Sequence, residues 1–266
     1  MSARVYAVVN QKGGVGKTTT AVNLAAALAR VPRRVLLLDL DPQGNATMGC
    51  GVDKRALERS IYPVLLGICR AHEALVATEF GFDLIPANRE LAAAEVELVG
   101  LEGRENRLVR ALRPLAGEHD LVLIDCPPSL SMLTLNALCA ADGVIIPMQC
   151  EYYALEGLSD LVNTVRTVQA NFNPRLQALG LLRVMFDARI TLSQQVSEQL
   201  AEHFGDKVFG ALIPRNVRLA EAPSHGMPGL VFDPASRGAK AYAAFAEEFL
   251  ARIERGGLAA GSVGRK

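Results

Sequence analysis

No charge of either sign dominates this chain. Its 28 basic and 28 acidic residues cancel, so a nucleic acid or a membrane would have to be met by a local patch rather than by overall attraction. Paired cysteines are missing too. The five cysteines, Cys50, Cys69, Cys126, Cys139 and Cys150, are odd in number and contain no Cys-x-x-Cys pair, which argues against a disulfide framework or a zinc site and fits reduced thiols. No apolar run approaches the roughly 20 residues of a membrane-spanning helix. No signal peptide precedes the first strand-like run, and no repeat or linker interrupts the chain. These absences lead to the expectation of a soluble cytoplasmic protein folded as one large α/β domain. With 50% of its 266 residues apolar, it can bury a substantial core.

What is present is a series of short apolar runs separated by helical segments. They fall at Arg4 to Val9, Val35 to Leu38, Phe82 to Ile85, Leu121 to Ile124, Gly143 to Ile146 and Leu179 to Met185. Continuous rather than alternating hydrophobicity describes strands covered on both faces, hence a three-layer fold with a mostly parallel twisted sheet and helices on either side. Residues 54–118 read as a helical insertion around one short strand. Arg104, Glu105, Arg107 and Arg110 read there as a solvated helix face. Helices are expected from Ala21 to Ala29, from the Cys150 region to about Asn171, and from about Ser236 to Arg255. The last carries Tyr242, Phe245, Phe249 and Ile253 on one stripe, ahead of a small, flexible tail over 256–266.

The stretch Asn10-Gln11-Lys12-Gly13-Gly14-Val15-Gly16-Lys17-Thr18-Thr19, between the first strand and the first helix, carries the chemistry. Three glycines in four residues followed by Lys-Thr describe a loop whose N–H groups close around phosphates at a helix N-terminus. Lys17 would reach the β- and γ-phosphates, and the Thr18 hydroxyl is the expected magnesium ligand. Where the usual pattern has glycine six positions before the lysine, this chain has Gln11, followed by the extra lysine Lys12. At the mouth of the loop Lys12 reads as a desolvated positive charge with no carboxylate nearby in sequence. It calls for an anion.

Acids end two of the strands. Asp39 and Asp41 close the second, and in a parallel sheet both point toward the phosphate loop. Asp41 is placed to hold an attacking water and Asp39 to contact the metal shell or the loop, while capping of a turn or helix is the competing role for each. Asp125 ends the strand before Cys126-Pro127-Pro128-Ser129, the usual source of a magnesium-associated carboxylate in phosphate-loop ATPases. Cys126 itself reads as a small buried residue, and Tyr152 with Tyr153 as a packed aromatic pair. In Ile213-Pro214-Arg215-Asn216-Val217-Arg218, a strand-end loop, the Asn216 amide offers a donor and an acceptor to an adenine edge, with a plain helix N-cap as the alternative. Residues 1–174 hold 16 basic and 19 acidic groups and residues 175–266 hold 12 and 9, so the C-terminal third is mildly positive.

With the Lys12-containing loop, Asp39-Leu40-Asp41-Pro42-Gln43-Gly44-Asn45, Asp125-Cys126-Pro127-Pro128-Ser129, Cys150-Glu151-Tyr152-Tyr153-Ala154-Leu155-Glu156-Gly157 and Pro214-Arg215-Asn216-Val217-Arg218 in order, the chain resembles the ParA/Soj chromosome-partition ATPases. These are relatives of MinD with a deviant Walker A loop. The resemblance spans roughly 3–250 and implies a single ATPase domain over 1–255. It implies ATP and Mg2+ as cofactors and a nucleotide-sandwich homodimer, with Lys12 reaching the partner's phosphates and Gly13 and Gly14 permitting close approach. It also implies adenine contacts from Pro214 and Asn216, and phosphate contacts from Gly13, Gly14, Val15, Gly16, Lys17, Thr18 and Thr19. Asp41 is implied at the hydrolytic water, so that Lys12, Lys17 and Asp41 form the catalytic set beside a metal set of Thr18, Asp125 and Asp39. Non-specific double-stranded DNA is the implied partner of Arg189 and Arg218, supported by Arg215, Arg237 and Lys240 from the basic third. A ParB-type centromere-binding protein would stimulate slow hydrolysis and release the nucleoid-associated dimer, segregating chromosome or plasmid origins. A MinD-like membrane-cycling regulator is the alternative, weakened by a tail without an amphipathic anchor. A redox ATPase like the nitrogenase iron protein would need cluster-bridging cysteines that are not in place.

Overall fold

A computed structural model describes residues 3–152 and 154–261. Eight strands form one sheet: β1 (Arg4–Val8), β2 (Val35–Asp39), β3 (Val76–Ala77), β4 (Asp83–Ile85), β5 (Leu121–Asp125), β6 (Gly143–Met148), β7 (Gln177–Phe186) and β8 (Val208–Pro214), in the order β3-β4-β2-β5-β1-β6-β7-β8. All pairings are parallel except β3 with β4. The helices are α1 (Lys17–Leu28), α2 (Asn45–Gly49), α3 (Ile61–Leu66), α4 (Leu91–Glu97), α5 (Arg107–Leu112), α6 (Met132–Ala140), α7 (Ala154–Asn171), α8 (Thr191–Phe204), α9 (Val217–Glu221), α10 (Gly229–Phe232) and α11 (Arg237–Gly261).

The three layers follow from the pleat. Along β1, Val5, Ala7 and Val9 belong to one apolar cluster while Tyr6 and Val8 belong to the other, and β2 divides its residues the same way, Leu36 and Leu38 against Val35 and Leu37. Successive side chains leave opposite faces of a strand, so a strand that is apolar at every position needs a cover on each side. One cover contains α6 and α7. The other contains α1 and α11, where Tyr242, Phe245, Phe249 and Ile253 are all buried. Tyr6 and Phe249 meet edge to face with centroids 4.9 Å apart, and the Tyr242 and Thr20 hydroxyls are 3.1 Å apart in the interior. The last helix is thereby fixed to the first strand and the first helix.

Several elements differ from the sequence reading. The insertion holds two short strands rather than one, because β3 is a two-residue edge strand too brief to show a period. Arg104 and Arg107 are half-buried, donating to the Val99 and Leu65 carbonyls, and of that charged group only Arg110 is exposed. Helix α8 was not anticipated, and α11 runs on to Gly261, six positions past the expected end at Arg255, so the proposed tail from 256 begins inside a helix. Its remaining residues, 262–266, lie outside the described residues.

Replacing Phe249 by Ala should remove about 3–5 kcal/mol of stability, the usual cost of deleting a fully buried ring. Urea unfolding of both proteins measures it; a loss under about 1 kcal/mol would mean that the helix is not a structural part of the sheet's cover.

Candidate nucleotide-binding site

β1 lies inside the sheet between β5 and β6, and the chain leaves it for opposite halves: β2 to one side, β6 to β8 to the other. Beyond the carboxyl ends of such strands is where parallel sheets hold ligands. The loop after β1 turns there on Gly14 (φ 74°) and Gly16 (φ 73°), left-handed conformations that favour glycine. Gly16 opens α1 without a side-chain cap, so the first-turn N–H groups remain available to an anion. Lys17 is buried, and its ammonium donates to the Lys12 carbonyl at 3.0 Å. Burial lowers its pKa, opposed by the Asp125 and Asp41 carboxylates.

The acids stand under this loop. β2 and β5 pair with Asp39 opposite Asp125, and both carboxyls are fully buried. Burial pushes Asp39 up to about 6 despite hydrogen bonds from the Thr47 N–H (2.8 Å), the Thr47 hydroxyl (2.7 Å) and the Asp41 N–H (3.2 Å). Asp125 is raised well above the ordinary carboxylate range, by burial first and by the neighbouring Asp39 second. The Thr18 hydroxyl and Lys17 are near enough to lower it partly, yet neither Asp125 oxygen has a partner within hydrogen-bonding limits. Asp41 is buried, with one oxygen receiving the Gln43 N–H at 2.9 Å.

This geometry divides the acids by role. Asp39 takes up the turn-capping role that competed with the metal shell in the sequence reading, accepting hydrogen bonds from Thr47 and the Asp41 backbone. Asp125 keeps the character of a ligand. A hard, oxygen-preferring cation is what two orphaned carboxylate oxygens beside a threonine hydroxyl would accept.

Lys12 needs a correction. Its ammonium is 2.5 Å from Glu151 Oε2, with the two side chains 52% and 49% exposed, so its counter-charge is within the same chain and its charge is not desolvated. The partner is 139 positions away, a separation that no local charge pattern reveals. Asn10, also missed, receives the Lys12 N–H (3.0 Å) and donates to the Pro147 carbonyl (2.8 Å), tying the loop to the end of β6.

Pro214 and Asn216 do meet the phosphate loop: with Gly16, Thr19, Met185 and Tyr242 they line a cavity of about 230 Å³. Asn216 Oδ1 caps α9 by accepting the Leu219 N–H at 3.2 Å, so only its amide nitrogen faces a ligand. A cavity of about 420 Å³ lies on the other side of Thr19, between Asn45, Met48, Ser224 and Met227. Tyr152 is exposed, and the expected pairing with Tyr153 falls outside the described residues. Arg189 is gripped by Asp187 (2.6 and 2.9 Å), and Arg218 by Glu221 (2.9 Å) and Asp233 (3.4 Å). Arg215, Arg237 and Lys240 are exposed and form no ion pair among the described residues.

A family model described as an AAA domain matches residues 3–178. The chain is 56% identical over 251 residues to the chromosome-partitioning ATPase Soj of Thermus thermophilus, covering 94% of this chain and 97% of the relative. It is 53% identical over 249 residues to the sporulation initiation inhibitor protein Soj of Bacillus subtilis, covering 93% and 98%. It belongs to the ParA/Soj family. A solved structure from Mycobacterium smegmatis, named cobyrinic acid a,c-diamide synthase and holding an ATP analogue and magnesium, superposes with a TM-score of 0.85 at 44% identity over 96% of this chain and 97% of that one. Burial raises the thiol pKa of Cys50, Cys69, Cys126, Cys139 and Cys150 alike, so none is a ready thiolate. No helix among the described residues is long and apolar enough to cross a membrane.

A carboxyl whose folded pKa exceeds its ordinary 3.8 binds more protons folded than unfolded, so its contribution to stability declines as pH rises from that value through the folded one. Asp125→Asn should therefore raise the melting temperature of the nucleotide-free protein at pH 7.5 and narrow the difference between pH 5 and pH 7.5. Calorimetry checks this, and a lower melting temperature at pH 7.5 would show that Asp125 is a satisfied structural acid.

Proposed function

We propose that this chain is an ATPase whose nucleotide-bound form pairs with a second copy, binds double-stranded DNA without sequence preference, and lets go when a ParB-type partner stimulates hydrolysis. The observation that carries the reading is an uncapped helix start behind a glycine loop, set over an Asp125 carboxylate with no partner. Lys17 exchanges the Lys12 carbonyl for the β- and γ-phosphates, Thr18 and Asp125 hold magnesium, and Gly13 to Thr19 supply N–H groups to the phosphate chain. When bound, magnesium neutralises charge on the β- and γ-phosphates. The adenine enters the cavity beside Pro214 and the Asn216 amide nitrogen. Asp41 uses its remaining oxygen to hold the hydrolytic water, a weak activator by itself, which fits slow turnover.

Dimerisation then depends on Lys12 changing partners. Gly13 and Gly14 are exposed with open space around them, so a second chain can approach the loop. A half-exposed ion pair is weak and screened by salt, so Glu151 can yield Lys12 to a triphosphate held by the other subunit. On the DNA side, Arg215, Arg237 and Lys240 are the uncommitted cations, while Arg189 and Arg218 must first leave Asp187, Glu221 and Asp233. Two subunits double the phosphate contacts, and because each released counterion adds to the salt dependence, pairing turns weak attraction into usable binding. This places the active form on the nucleoid. A MinD-like membrane role is disfavoured because the apolar stripe of α11 is already docked on the sheet.

In light scattering, ATP should convert the wild-type chain to a dimer, and Lys12→Ala should bind ATP yet remain single. Glu151→Ala should pair at lower protein concentration, and an unchanged concentration dependence would remove the exchange from the mechanism.

DNA retention at two salt concentrations, with ATP, ADP and no nucleotide, tests the whole reading. Retention is expected with ATP alone and weaker at higher salt. Arg215→Glu and Lys240→Glu should lower it and Asp187→Asn, which frees Arg189, should raise it. Equal retention in all nucleotide states would overturn the proposal.

A further inference from the structure

Directly after β6, Gln149 reaches back under the phosphate loop. Its side-chain nitrogen donates to the Gly14 carbonyl at 3.1 Å and lies 2.9 Å from the Met185 sulfur. A side-chain amide has two hydrogens, so both are directed and the amide cannot turn without losing one contact. Met185 is itself held in an unusual state. It is the one non-glycine residue with positive φ among the described residues, at 51°, within an irregular part of the β7–β8 pairing. Left-handed backbone is unfavourable for a residue with a side chain and persists where surroundings over-determine it. Its surroundings here are the nucleotide site: Met185 lines the cavity that also contains Gly16, Pro214 and Asn216.

The Gly14 carbonyl is a position where such a hold matters. Glycine is free in ψ as well as φ, and Gly13 and Gly14 have nothing packed where a side chain would stand, so packing at these two residues does little to fix the tilt of the Gly14–Val15 peptide. In a trans peptide the C=O and the following N–H point in opposite directions. With its carbonyl drawn toward Gln149, the peptide sends the Val15 N–H the other way. Tilted away from that setting, the N–H would be aimed past an anion bound in the loop.

We propose that Gln149 is a positioning residue for the phosphate loop, and that Met185 fixes the Gln149 amide from the wall of the base cavity. The assignment rests on the reading that this loop binds ATP. One flexible thioether thus touches the residue that sets the phosphate cradle while lining the space proposed for the base.

Titration with a fluorescent ADP analogue and steady-state ATPase assays test this on full-length protein. Gln149→Ala and Gln149→Met, the second keeping length and volume without the amide hydrogens, should each weaken ADP binding and raise KM for ATP about tenfold, the equivalent of one lost hydrogen bond. Saturated kcat should stay within about twofold. Met185→Leu, which keeps volume but removes the sulfur acceptor, should weaken binding in the same direction and less. Nucleotide-free melting temperatures identify a variant that is merely unfolded, in which case Met185→Leu reads the same contact from its other side. Wild-type affinity in Gln149→Met overturns the proposal, since only packing would then matter, and so does a loss confined to kcat. Failure of the wild-type protein to bind the analogue would instead overturn the nucleotide reading itself.

Discussion

Two carboxyls brought side by side by strand register are the constraint around which this molecule is arranged. β2 and β5 are apolar throughout until each ends in an aspartate, and their pairing sets Asp39 against Asp125 with both carboxyls fully buried. Like charges in such a place cannot both ionise freely. The chain resolves half of the problem itself, by turning Thr47 and the Asp41 backbone onto Asp39, and leaves the other half to Lys17, Thr18 and whatever cation accompanies a nucleotide. The site is a region of electrostatic tension that the fold tolerates because the rest of the sheet is covered on both faces.

On the proposed reading, a chain of zero net charge that attracts polyanions has to manage its cations individually. Lys12 is held by Glu151, Arg189 by Asp187, and Arg218 by Glu221 and Asp233, each pair substantially exposed. Exposed pairs add little to stability and exchange readily, so they serve better as temporary holders than as braces. Positive charge is thereby present but discounted, and it becomes available where a stronger anion with several charges competes for it.

Legibility in the sequence followed the range of the interactions. The sheet, its layers and the phosphate loop were readable because they depend on local pattern: apolar runs, a glycine-rich turn, a helix-forming segment. The pairing of Asp39 with Asp125 was only half readable, since strand ends suggested position but not which acid would find hydrogen bonds. Lys12 was misread because its counter-ion is remote in sequence, and Asn216 was ambiguous because an amide that caps a helix has the same letter as one that binds a base. Short irregular elements such as β3 carry no period to detect, and the hold of Gln149 on Gly14 depends on a bulge in a strand far along the chain.

The link between the two ends of the molecule has a consequence for how it is made. Tyr6, in the first strand, rests on Phe249, Arg4 donates to the Ile253 carbonyl, and Thr20 in the helix behind the phosphate loop meets Tyr242. During synthesis those early segments leave the ribosome long before their cover exists. An incomplete polypeptide, ending anywhere before α11, therefore has one face of its central sheet covered only in part, by α1, and nothing behind that helix. Prematurely terminated products would expose this apolar surface, which makes them targets for proteolysis rather than lasting defective copies.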